Sequence, residues 1–187
     1  MCEKIHLIEG ADINLEYQVD LLLVYSGEKP VCSESICTGE IHYAKYIAKI
    51  KLLEDLMDTL GLFYSFYGHL KYSDPKKDGV GVSLYWGANL VFGKAESAVE
   101  RFLGAGDFEQ TGLVLGYPKT ATEAFVNKRK SKDRPYDGSP LDYFYYFGFS
   151  EEFFEDEMKV CQRWHDTVKR LSPKIYKEIE VIISQSQ

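Results

Sequence analysis

A single α+β domain, with a small, mainly antiparallel sheet packed by four or five helices, is the fold this sequence predicts. Three observations carry the expectation. Apolar residues recur at helical steps over 41–60 and 150–171. Two aromatic stretches, 62–70 and 80–92, read as paired strands. No linker long enough to divide the 187 residues lies between them.

Composition narrows the function classes. Hydrophobic residues make up 45% of the chain and charged residues 27%, a balance that lets one domain of this length fold without staples. A net charge of −7 argues against broad binding to nucleic acid or membrane surfaces. No apolar run approaches the roughly 18 residues of a membrane span, so no membrane partner is expected. The opening MCEKIHLIEG lacks the apolar centre of a signal peptide. Four irregularly spaced cysteines fit free thiols in a reducing cytoplasm better than a disulfide framework.

In chain order, Ile5–Ile8 and Ile13–Tyr25 are short apolar runs, read as two strands or as a strand after a short helix. Ser26-Gly27-Glu28-Lys29-Pro30 is turn chemistry, and 31–40 reads as a loop ending in Thr38 as helix N-cap. Ile41, Ala44, Ile47, Ala48, Leu52, Leu56 and Leu60 form the stripe of a helix closed by Gly61. The aromatic hairpin follows, bent near Gly87, with a further pairing expected to Leu21–Tyr25. Phe63, Ser65 and Tyr67 should face one way and Tyr64 and Phe66 the other, giving a sheet covered on both sides. Ala95–Leu103 reads as a helix, and 107–126 as a helix, a tight Gly-Tyr-Pro turn and a second helix. A charged loop and a third aromatic run, of strand or irregular type, lead to a helix capped by Ser150, with Phe154, Met158, Cys161, Trp164, Val168 and Leu171 on one face. Pro173 opens the last helix.

Several constellations bear chemistry. The 107–134 region fits a helix-turn-helix template with Gly112 and Gly116 four apart, although Thr122 stands where an apolar residue is expected. On that reading Lys119, Thr120 and Glu123 face outward, and Lys119, Lys128, Arg129, Lys130, Lys132 and Arg134 meet phosphates. Cys32, Cys37 and His42 have ligand types suited to zinc, with His6, Cys2, His69 or Cys161 as a fourth. Glu157, Cys161 and His165 share one helix face, as a thiol nucleophile with its base would. A ligand pocket is expected where His69, Tyr85 or Trp86 meets Glu109 and Tyr117.

Glu109, Gly112, Leu115, Gly116, Tyr117, Pro118 and Phe125 together resemble a segment of uncharacterised prokaryotic proteins, which reads approximately E-x-G-x-x-L-G-Y-P-x-x-x-V-x-x-F. The resemblance covers about a tenth of the chain. It implies a shared local structure and a bacterial or archaeal source. Some archaeal members carry a Cys-Cys pair after the proline. Thr120 and Ala121 stand there in this chain, so no thiol role carries over.

The functional expectation is a cytoplasmic binding or regulatory module. The alternatives are a helix-turn-helix regulator using 107–134 and a small-molecule enzyme with its pocket near the hairpin and the Gly-Tyr-Pro turn. Exposed aromatic residues would favour a homo-oligomer.

Overall fold

The computed structural model describes residues 2–38, 43–75, 82–127 and 131–185; for 2, 37, 38, 43, 69–75, 82–86 and 131 it describes the backbone. The chain opens with two helices, α1 (Cys2–Gly10) and α2 (Leu15–Ser26), where two strands, or a strand after a short helix, were expected. Tyr17 through Val24 are all buried. A helix covered on every side shows no apolar stripe, so its sequence looks like a buried strand. Its ends are nevertheless marked. The Asn14 side chain accepts from the Tyr17 amide at 2.9 Å, and Gly27 closes the helix with φ of 88°.

The segment read as a loop is instead a strand, β1 (Val31–Thr38), so Thr38 ends a strand and does not cap a helix. Helix α3 (Tyr43–Leu60) exists as expected, but it is rotated. Tyr46, Leu53, Met57 and Leu60 are buried, with Ile50 packed alongside, whereas Ile47 and Leu52 are exposed. The 4-3-4-3 spacing of 46, 50, 53, 57 and 60 is the truer helical stripe.

Strands β2 (Phe63–Pro75) and β3 (Val82–Gly93) form the aromatic hairpin, and β2 runs on into the polar connection. The sheet order is β1-β3-β2, antiparallel throughout. β3 therefore pairs with 31–38 and not with 21–25. The irregularity lies in β2, between Tyr67 and Leu70 where Gly68 has φ of 63°, rather than at Gly87.

Both faces of the sheet are covered. Cys32, Ile36, Tyr64, Phe66, Leu90 and Phe92 face the main core with α1, α2 and α3. Val31, Tyr67 and Val91 face a smaller core under α4 (Glu96–Leu103), reached also by Val114 and Leu115. The expected split of Tyr64 and Phe66 from Tyr67 is what the strand pleat produces.

Helices α5 (Phe108–Val114) and α6 (Lys119–Val126) form the central hairpin. A two-stranded ladder of β4 (Ser131–Lys132) and β5 (Phe149–Ser150) brackets a 3-10 turn, Pro140–Phe144. Helices α7 (Phe154–Leu171) and α8 (Pro173–Gln185) close the chain over α2. Ser150 belongs to β5 rather than capping α7 directly, though its Oγ accepts from the Phe153 amide at 3.2 Å. No helix among the described residues is long and apolar enough to cross a membrane.

Candidate functional site

The α5–α6 hairpin closes because two glycines leave room. Gly112 on α5 faces Thr122 on α6, and a Cβ at Gly112 would lie 3.0 Å from both Oγ1 and Cγ2 of that threonine. Thr122 thus meets a glycine, and its hydroxyl donates to the Pro118 carbonyl at 3.1 Å. Those two contacts accommodate the residue that misfits the helix-turn-helix template. Gly116 adopts φ of 83°, and a Cβ there would lie 2.7 Å from Pro30 Cδ. The Gly-Tyr-Pro turn is therefore pressed against the loop that enters β1, and Tyr117 is turned toward Phe147, with ring centroids 5.5 Å apart.

A cavity of about 290 Å³ opens between this hairpin and residues 146–148. Phe108, Leu115 and Phe125 form one wall and Tyr146, Phe147 and Gly148 the other, with Tyr117 between them. Arg134 is the one charged residue among the described lining residues. Phe108 is 77% exposed and Phe125 66%, with ring centroids 6.3 Å apart and edge to face. Two exposed phenylalanines at the edge of an apolar cavity are what a ligand or partner surface displays.

Behind the Tyr146 wall is a buried charge. Lys29 Nζ lies 2.9 Å from Asp20 Oδ1 and 4.2 Å from the Tyr146 ring centroid, with Trp164 at 5.3 Å. Burial disfavours the ammonium, but the acidic groups around it, Asp20 among them, hold it above the ordinary lysine range. Burial, aided by Asp20, pushes the Cys32 thiol well above its usual range, so it stays protonated. Burial raises Tyr117 and Tyr146 in the same way. Glu34, half buried on the inner face of β1, is pushed up to about 9 by burial and by its hydrogen bond with Asp20. The Tyr146 hydroxyl, the Tyr17 hydroxyl and Trp164 Nε1 are buried without a hydrogen-bond partner among the described residues. The Tyr117 and Tyr146 hydroxyls beside the cavity are therefore neutral, and no thiol is among the described lining residues.

Of the residues expected to form a ligand pocket, Tyr117 lines the cavity. Glu109 is on the first turn of α5, half exposed and not among the lining residues. The side chains of His69, Tyr85 and Trp86 lie outside the described residues. In the basic set, Arg134 borders the cavity, Lys119 pairs with Glu123 at 3.5 Å, and Lys132 Nζ lies 3.5 Å from the Phe154 ring centroid. Lys128, Arg129 and Lys130 lie outside the described residues. Thr120 does not face outward as expected. Its hydroxyl donates to Glu157 at 2.6 Å, because that buried carboxylate needs donors.

The thiol set is committed elsewhere. Glu157 accepts from the Ser150 amide and hydroxyl, both at 2.7 Å, and from Thr120. Burial raises the Cys161 thiol to about 12. His165 contacts Asp166 through Nδ1 at 2.8 Å and Tyr176 through Nε2 at 3.0 Å, so both ring nitrogens are engaged away from Cys161. Of the zinc candidates, Cys32 packs in the core beside Lys29; the Cys37 side chain and His42 lie outside the described residues.

Sequence reasoning missed Lys29, Asp20 and Glu34. The signal was Asp20 itself, an acid set directly between Val19 and Leu21-Leu22-Leu23, which requires a buried partner. Comparison of the chain with family models, with curated proteins and with solved structures found no match.

Proposed function

We propose that this protein is a small-molecule-binding module, acting as a sensor or regulator, whose ligand occupies the cavity between the α5–α6 hairpin and residues 146–148. The observation that carries the reading is the coincidence of an apolar cavity of about 290 Å³ with an exposed aromatic pair and, among the described lining residues, a single cation, Arg134. That volume stands at the small end of ligand cavities, roughly 300 Å³ and upward. The neutral state of Tyr117 and Tyr146 favours recognition over turnover. Cys32 and Cys161 are unpaired buried thiols, which suits a reducing cytoplasm. The segment that resembles uncharacterised prokaryotic proteins is the one that builds the hairpin wall, so we extend the same reading to those relatives.

Thermal unfolding in the presence of a panel of small aromatic compounds tests it. Binding to the native state raises the midpoint in a concentration-dependent way. Gly148→Phe is the blocking control. A Cβ at Gly148 meets nothing within 4 Å, so the added ring enters the cavity without a backbone clash. Compounds that stabilise the wild type and not the variant support the reading. A panel that shifts neither protein, or both equally, overturns it.

A further inference from the structure

We infer that the ligand is an aromatic carboxylate whose anionic head pairs with Arg134; the inference rests on the binding reading above and names its chemistry. Five of the twelve described residues that line the cavity are rings, Phe108, Phe125, Phe147, Tyr117 and Tyr146. Rings pack best against other rings, edge to face or offset, at centroid separations of roughly 4.5–7 Å. The Phe108–Phe125 and Tyr117–Phe147 pairs already follow that geometry at 6.3 and 5.5 Å. The body of the ligand is therefore flat and apolar, and the volume admits one ring or two fused rings with a short head group.

The head group follows from the one charge. Arg134 Nη1 donates to the Tyr136 hydroxyl at 3.0 Å, which steadies the guanidinium while leaving its other donors uncommitted. No carboxylate among the described residues pairs with it. A guanidinium presents parallel donors that match a carboxylate in bidentate fashion. No acidic side chain lines the cavity among the described residues, so a cationic ligand finds no counter-charge there while an anionic one does. An apolar cavity whose one charged group, among the described lining residues, is a fork of donors thus selects acid over amide.

Titration calorimetry of the full chain with 2-naphthoate and with 2-naphthamide, which differ in charge and little in shape, tests this. Wild type is expected to bind the acid at least about tenfold more tightly than the amide, a charge-assisted pair being roughly twice as strong as a neutral one. Arg134→Met, at an exposed position that leaves the fold intact, is expected to abolish that preference. Equal binding of acid and amide by wild type, or a preference that survives Arg134→Met, overturns the inference and leaves the binding reading standing. Binding of neither compound at millimolar concentration, together with no shift across the aromatic panel, removes the binding reading and this inference with it.

Discussion

Lys29 Nζ meets Asp20 Oδ1 at 2.9 Å with the side chains only 2% and 6% exposed, so a full charge pair stands inside the core beneath the Tyr146 wall. Removing one member leaves the other charge uncompensated. Lys29→Met is expected to destabilise the fold by about 3–5 kcal/mol, and the double variant Lys29→Met, Asp20→Leu to recover most of that loss. Guanidinium denaturation of wild type and the three variants checks both, through the coupling that a double-mutant cycle extracts.

Glu34 makes stability depend on pH. Burial and its hydrogen bond with Asp20 push its carboxyl from the usual value near 4.5 up to about 9. Between those values the folded state binds more protons than the unfolded one, so stability falls as pH rises. The contribution is fully present below about 4.5 and is lost as pH passes through about 9. Denaturation midpoints measured across that window are expected to decline in the wild type. Glu34→Gln, which keeps the neutral hydrogen-bonding form, is expected to flatten the decline.

Gly112 and Gly116 are expected to differ in how they can be rescued. Gly112→Ala brings a Cβ to 3.0 Å from Thr122 and should cost about 1–2 kcal/mol, and Thr122→Ala in the same chain should restore most of it by removing the contacted atoms. Gly116→Ala combines a left-handed backbone with a 2.7 Å approach to Pro30 Cδ. Its loss, about 2–4 kcal/mol, is not expected to be relieved by Thr122→Ala. Thermal midpoints of the four variants decide the matter.

Glu157 joins three parts of the chain, holding Thr120 of α6 and the amide and hydroxyl of Ser150 while itself only 1% exposed. Glu157→Ala strands those donors in the core and is expected to cost about 3 kcal/mol. Hydrogen exchange should show that loss most strongly in α6 and β5, the elements it ties together. Uniform loss across the sheet would mean that Glu157 is not the local tie.

Elements with an open periodicity or turn signature were legible in the sequence, whereas the half-exposed strand β1 and the true buried stripe of α3 were not. The hairpin strands, α7 and the Gly-Tyr-Pro bend carry their periodicity and turn residues openly, and Phe125 and Tyr117 stood out before any coordinates. Helix α2 did not, because burial from Tyr17 to Val24 erases the stripe that distinguishes helix from strand. Misreading it displaced the sheet partner of β3 from 31–38 to 21–25. The cavity was half legible. Tyr117 was expected there, but Arg134 was grouped with the phosphate-facing cations, and Phe147 and Gly148 lay in an aromatic run whose irregular path no periodicity reveals. Asp20 marked the need for a buried partner, but that Lys29 of the following turn folds inward to supply it is a tertiary fact with no local mark.

The most direct measurement is the set of intermolecular nuclear Overhauser effects between bound 2-naphthoate and the aromatic protons of the full chain. Cross-peaks to the Phe108, Phe125 and Tyr146 rings are the predicted result, since those rings line the cavity from both sides. Cross-peaks confined to rings elsewhere, such as Tyr64 or Phe63 on the sheet, would contradict the account.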